Sequence, residues 1–385
     1  MNFLQLGGNM KLLENINIVL EKKVIFGDIY VLDGKIAKIV EHGPQKVGFP
    51  ILTPGFIDVH IHGSASFDAM DGEYHTNHQM ALSLVKEGTT SYLPTTMTQS
   101  DELITKALKG FKEYYDNQDP NAAKVLGIHL EGPYLNQKFS GAQPTLHIRP
   151  FNLDEFKHWN KVSGNLIKKI SIAPEFKENL NAIAYLKDNG VVVSAAHTNA
   201  NYDDMNNAIK EGLTSLTHTF NAMTGLHHRD IGVVGAGLLH NTLSCELIFD
   251  KIHVSVPASK ILLKNKTFKN VVLVTDSMRN KGMPDGISEL GGQTVYIKNN
   301  EARLENGSLA GSILKMIDAY KNAINDLGVN LVKAAHMTSL NAARQLKVDD
   351  KLGSIQVGKF ADLVLLDKNL NILKTYVNGK VVYEA

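Results

Sequence analysis

A chain of 385 residues, 43% apolar and 21% charged, exceeds the roughly 250 to 300 residues at which a single core usually stops growing; one large and one small unit are expected, and a short disulfide-stapled module or a disordered polymer is excluded. Lys plus Arg (40) balance Asp plus Glu (39) with no long run of like charge, so the chain has no footprint for bulk nucleic acid or an anionic membrane surface. Cys245 is the only cysteine, which excludes an internal disulfide or a Cys-rich zinc knuckle and leaves His and carboxylates to hold any metal.

Residues 1–9, ahead of Met10, read as a disordered extension or an upstream start. The first seventeen residues include Asn2, Gln5, Asn9, Lys11, Glu14, Asn15 and Asn17 in place of a signal-peptide apolar core, and no apolar stretch approaches the ~18 residues of a spanning helix. A cytoplasmic protein is expected. Residues 16–40 give short, partly alternating β-branched runs broken at Gly27-Asp28 and Asp33-Gly34, the pattern of antiparallel strands. Eight strand-like runs then alternate with helix-like segments, at 51–59, 89–95, 124–130, 168–173, 190–196, 213–217, 243–249 and 271–275. The alternation predicts an α/β fold of the (β/α)8 TIM-like kind over 54–349. Residues 353–383 return to short strands, with turns at Asp367-Lys368-Asn369 and Asn378-Gly379. Neither end can bury a core alone, so residues 1–53 and 350–385 are expected to pair in one small β unit.

Barrel enzymes gather their chemistry at the C-terminal ends of the strands. Here the first run ends in His60-Ile61-His62, the third in His129-Leu130-Glu131, the fifth at His197, the sixth at His218 and the eighth at Asp276. His-x-His alone carries little weight, since 15 His give about 0.6 chance occurrences in a chain of this length. Extended backbone, however, puts His60 and His62 on one side, and with a carboxylate and two further imidazoles nearby the set suits Zn²⁺ or Fe²⁺ better than Mg²⁺ or Ca²⁺. Asp276 closes the apolar run VVLVTD, where a carboxylate is costly unless it is paired, caps a helix or stands near a metal. Its functional role would be a general base that takes a proton from water and returns it to a leaving group. GVVGAG at 232–237 lacks the frame of a nucleotide loop and reads as a loop leading into a helix; Cys245 reads as a small buried hydrophobe. His129 shares the side of Glu131, where it can orient its neighbours.

PGFIDVHIHG at 54–63, HLEGPYL at 129–135, AAHTNA at 195–200, HTFNAM at 218–223, VTDSM at 274–278, LAGS at 309–312 and GKFADLVLLD at 358–367 together resemble the amidohydrolase superfamily, in order and from about residue 16 to the end. Within it they resemble the enzymes that deacetylate phosphorylated amino sugars. The resemblance implies a metal-dependent barrel with a small β-sandwich built from both termini, a homodimer, and removal of acetate from N-acetylglucosamine 6-phosphate. Its galacto epimer, another amide, or a barrel that has lost its chemistry are the alternatives. By resemblance, Glu131, His197 and His218 are metal ligands and Asp276 is the acid/base. His60 and His62, which some members replace with Gln and Asn, imply a site for one or two divalent ions bridged by Glu131. Substrate contacts implied are Ala142, Gln143, Asn221, Ala222, Arg229, Asp250, Lys251, Ile252, His253, Leu309, Ala310 and Gly311, with Arg229 suited to phosphate. Gln143 stands where some members carry His, and Asp250-Lys251-Ile252 replaces a common Asp-Gly, so altered sugar contacts are expected.

Overall fold

The computed structural model describes residues 11–385, and the expectation for residues 1–9 lies outside that range. Both chain ends contribute to one seven-stranded sheet. Its order runs Lys380–Glu384, Ile372–Val377, Leu363–Leu366, Ile51–Pro54, Lys11–Val19, Val24–Leu32 and Lys35–Pro44, so C-terminal strands lie directly against an N-terminal one. The two predicted turns are present. Asp367 accepts the N–H groups of Asn369 and Asn371 between one pair of strands, and Val377 pairs with Lys380 around Asn378-Gly379 in the next. The strand Lys35–Pro44 is also stitched to the segment before Leu363, through Ile36 N–H to Lys359 O at 2.9 Å and Ala361 N–H to Gly34 O at 2.8 Å. Ile16, Ile18, Ile29, Leu52, Leu363 and Tyr376 bury themselves together as the core of this unit, as β-branched and aromatic residues alternating on strands should.

Eight parallel strands follow the pattern read from the sequence: Phe56–Ile61, Thr89–Pro94, Ile128–Glu131 (preceded by Lys124–Val125), Ile167–Ile172, Val192–Ala195, Ser215–Leu216, Ser244–Ile248 and Val271–Val274. The last six form one sheet in sequence order, and the first two form another with Lys124–Val125. The array fits a TIM-like domain. Parallel bridges Thr95–His129 and Ile61–Ser277 link the edges of the two sheets. Helices stand between consecutive strands with one apolar face inward. In Asp101–Asp116 the buried positions Ile104, Ala107, Leu108 and Phe111 follow the helical repeat, Ser100 caps the start, and Asp101 in the first turn accepts the Trp159 indole N–H at 2.7 Å. Tyr202–Glu211 opens with a capping box between Asn201 and Asp204 and ends at Gly212 with φ +118°. GVVGAG lies within the helix Gly232–Leu239, and Cys245 is buried in the seventh strand.

Three sequence expectations need correction. The run 51–59 is two elements: Ile51–Pro54 belongs to the terminal sheet, and Phe56–Ile61 is the first parallel strand. Continuous apolar character hid the break, which falls at Gly55. The first terminal strand starts at Lys11, earlier than residue 16. A three-stranded antiparallel sheet, Gly286–Leu290, Gln293–Lys298 and Glu301–Leu304, follows the eighth parallel strand and was not expected. Only alternate positions such as Val295, Ile297, Ala302 and Leu304 are buried, and the polar residues between them make the segment resemble loop sequence.

Candidate metal centre and active site

The strand ends bring the six sequence-predicted donors to one point. His60 and His62 project to the same side of the first strand, with their Nε2 atoms 3.3 Å apart. Glu131, at the end of the third, divides its two oxygens between two pairs of histidines. Oε2 lies 3.1 Å from His62 Nε2 and 3.5 Å from His60 Nε2; Oε1 lies 3.3 Å from His218 Nε2 and 3.6 Å from His197 Nε2. His197 and His218 bring their Nε2 atoms within 3.1 Å of each other. Asp276 Oδ1 stands 3.2 Å from His62 Nε2 and 3.3 Å from His60 Nε2. All six residues are buried. They form two groups, His60/His62/Asp276 and Glu131/His197/His218, and within each group the donor atoms fall inside 4.8 Å.

The backbone is bent to make this possible. His197, His218 and Asp276 have φ of +42°, +34° and +48°, left-handed values that cost a non-glycine residue on the order of 1 kcal/mol or more. Each turns its side chain inward just past a strand, and each is pinned by main-chain bonds. Asp276 N–H donates to His60 O at 2.8 Å and its carbonyl accepts from Ser312 N–H at 2.8 Å; His197 O accepts from Asn136 N–H and His218 O from Asn221 N–H, both at 2.9 Å. The rings are held as well. His62 Nδ1 faces Thr95 O at 3.1 Å and His197 Nδ1 faces Phe139 O at 2.8 Å, which keeps a proton on Nδ1 and points Nε2 at the centre. His129 packs its ring edge-on to His60 at 4.7 Å and binds Ser171 through Nε2 at 2.7 Å, in keeping with an orienting position.

The charge balance of the cluster favours added positive charge. Burial works against a charged His62, but hydrogen bonds to Asp276 and Glu131 prevail and hold it up at about 9. Burial likewise opposes charge on His60, and Asp276 and Glu131 again outweigh it. Burial would raise Asp276, yet His60 and His62 bring it down to about 2, so it is ionised at neutral pH. Burial also works to raise Glu131, and His60 with the approach of His197 and His218 keeps it well below the carboxylate range. Glu131 Oε1 is buried with no hydrogen-bond partner, an arrangement that costs free energy unless a cation takes up the lone pairs. Four imidazole nitrogens and two carboxylates, buried and convergent, fit a divalent ion of the Zn²⁺ or Fe²⁺ kind.

Above the cluster opens a cavity of about 540 Å³. His62, Glu131, His197, His218 and Asp276 line it, and so do the predicted contacts Ala142, Gln143, Asn221, Ala222, His253, Leu309 and Gly311. Gln143 is engaged inside the protein at both ends: its amide donates to Glu131 Oε2 at 2.9 Å and its oxygen accepts from Thr98 N–H at 2.8 Å. The other predicted contacts do not reach this cavity. Asp250 instead supports His253, accepting from its Nδ1 at 2.7 Å, while Lys251 pairs with Asp326 and Ala310 is fully buried. Ile252 does not line the cavity either. Arg229 lines a second cavity with Tyr202 and Asp230, and its guanidinium meets His228 Nε2 at 2.9 Å.

Two cations in the main cavity, Lys138 and Arg303, escaped the sequence reading. Lys138 lies between the motif HLEGPYL and Gln143, five residues before the latter. Arg303 comes from the unexpected antiparallel sheet, and only the alternation in QTVYIK and EARL could have marked it.

The model of the amidohydrolase family matches residues 51–382. Over 383 residues the chain is 39% identical to an N-acetylglucosamine-6-phosphate deacetylase of Bacillus subtilis, covering 97% of each protein. It is 38% identical over 354 residues to an N-acetylgalactosamine-6-phosphate deacetylase of Escherichia coli O157:H7, covering 91% of this chain and 93% of that one. Among solved structures it is similar to the N-acetylglucosamine-6-phosphate deacetylase of Thermotoga maritima, with a TM-score of 0.91 at 35% identity, covering 97% of this chain and all of the other. A family whose members depend on metal accounts for six buried donors at the ends of parallel strands, and with its model matching most of the length, the chain belongs to the amidohydrolase family.

Proposed function

We propose that the protein hydrolyses the acetamide of N-acetyl-D-glucosamine 6-phosphate to D-glucosamine 6-phosphate and acetate, in the catabolism or recycling of amino sugars. The observation that carries this reading is a buried Asp276 facing a cavity whose floor is a ring of convergent imidazoles and a shared carboxylate. His60, His62, Glu131, His197 and His218 hold one or two divalent ions, Zn²⁺ or Fe²⁺. When bound, the ion supplies Lewis-acid polarisation of the amide carbonyl and favours ionisation of water. Asp276 accepts a proton from the attacking water, keeps it while the tetrahedral centre forms, and returns it to the amine nitrogen as the C–N bond breaks.

The sugar lies against Ala142, Asn221, Ala222, Leu309 and Gly311. Lys138 and Arg303, the cations of the same cavity, face the phosphate end together with His253, and Asp250 fixes the His253 ring. Arg229 opens onto the second cavity, beside His228 and Asp230.

The same reading takes the eight parallel strands as a closed (β/α)8 barrel over 54–349, a closure supported by the bridges Thr95–His129 and Ile61–Ser277. The terminal sheet, curled so that its Lys35–Pro44 strand meets residues 358–361, is read as the small sandwich-like domain expected of residues 1–53 and 350–385, of which 11–53 and 350–385 are described. It also takes the protein as a cytoplasmic homodimer without nucleic-acid or membrane partners. Among the described residues no helix is long and apolar enough to cross a membrane.

A second reading, action on the galacto epimer, is favoured by the similarity to the Escherichia coli relative. Initial rates on N-acetylglucosamine 6-phosphate, its unphosphorylated sugar and the galacto epimer separate the two. Loss of the phosphate should lower kcat/KM about 100-fold or more, because charge-assisted contacts remote from the amide position it for attack. Equal kcat/KM for the phosphorylated and plain sugars would remove the phosphate from the account, and a preference for the galacto compound would exchange the substrate.

A further inference from the structure

Beneath the donor cluster lies a buried ion pair that none of the chemistry above uses. Glu246 comes from the seventh parallel strand and Lys169 from the fourth, and both are fully buried. Glu246 Oε1 accepts from Lys169 Nζ. Its other oxygen, Oε2, lies 3.2 Å from His60 Nδ1 and accepts the main-chain N–H of His218 at 3.3 Å. One carboxylate therefore touches a histidine from each of the two donor groups, on the side away from the cavity.

A purely structural role explains this poorly. Taking two charges out of water is expensive, and a well-packed apolar pair usually serves a core as well or better. The strands themselves, CELIF and IKKISI, are otherwise suited to apolar packing. The partner of His60 also differs from those of its neighbours. His62 and His197 give Nδ1 to neutral main-chain carbonyls, whereas His60 gives it to a carboxylate whose charge Lys169 balances. A carboxylate behind an imidazole fixes the tautomer and ring angle and makes the opposite nitrogen a stronger ligand.

We propose that Glu246, neutralised by Lys169, is a positioning residue that keeps the His60 proton on Nδ1, presents Nε2 to the bound cation, and through the His218 amide holds the two donor groups in one frame. The proposal rests on the reading that His60 ligates a metal, and the experiment separates the two. Full-length wild type, Glu246→Gln, and the double variant Lys169→Met/Glu246→Gln are stripped of metal and titrated with Co²⁺, with absorption in the visible and metal analysis as readouts. The glutamine keeps shape and an acceptor oxygen, and the double variant leaves no buried charge unbalanced, so it decides if the single variant does not fold. Cys245→Ala, one position away on the same strand and facing the opposite side, serves as the packing control.

Co²⁺ affinity at the site that His60 serves should drop about 10- to 100-fold in both glutamine variants, with an altered visible spectrum. Cys245→Ala should lower the melting temperature while leaving affinity and spectrum unchanged. Wild-type affinity and spectrum in either glutamine variant would overturn the proposal. A double variant that cannot fold would overturn it as well, since the pair would then be structural. Wild type that takes up no Co²⁺ would instead sink the metal reading, and this proposal with it.

Discussion

Asp276→Asn should bind as much divalent metal as wild type at Glu131, His197 and His218 and yet turn over about 10²- to 10⁴-fold more slowly, the range expected for loss of a positioned acid/base. The substitution isolates chemistry from geometry. Asp276 has φ +48°, and Asn is among the few residues that tolerate that backbone well, so the turn into the site survives. Its hydrogen bonds to His60 O and from Ser312 N–H are main-chain and independent of the side chain. What the amide cannot do is accept the proton of the attacking water and hand it to the amine. Initial rates measured beside metal content test this, and wild-type rates in a metal-loaded Asn variant would take Asp276 out of the mechanism.

Glu131→Gln should act earlier, on metal binding itself. Glu131 reaches the Nε2 atoms of both histidine pairs, with Oε2 toward His60 and His62 and Oε1 toward His197 and His218. A glutamine keeps one oxygen but presents an N–H₂ to the other pair, and it removes a buried negative charge that offsets the cation. Metal affinity should fall about 100-fold or more, beyond the effect of losing a group that only supports a ligand. Activity at substoichiometric metal should fall in parallel and recover in part when metal is added in excess. Affinity within a few-fold of wild type would show that Glu131 is not a shared ligand.

Most of the site was legible because its residues break local rules. His60, His62, Glu131 and Asp276 put polar groups where the strand pattern called for apolar ones, and such conflicts mark function more reliably than any single motif. The eight strands were legible from apolar runs of the right length and spacing. The same signal misled at 51–59, since an apolar run records burial and not which sheet buries it; only Gly55 marks where the chain leaves one sheet for the other.

What escaped the sequence falls into two kinds. Arg303 sits on an antiparallel insertion whose alternation is too polar to separate from a loop, and its approach to the cavity is purely tertiary. Lys169 and Glu246 were within reach. Both are charges inside strand-like runs, the criterion that drew attention to Asp276, but neither ends its strand, and a search confined to strand ends passes over them. Arg229, a substrate contact by resemblance, lines a second cavity among the described residues, and no motif in the sequence marks that placement.

The measurement that tests the account most directly is product analysis of N-acetylglucosamine 6-phosphate incubated with the metal-replete protein, following acetate and the free amine together. The account predicts one acetate and one primary amine for each substrate consumed, with neither formed by metal-stripped protein. Substrate left intact by protein that carries stoichiometric metal would contradict it.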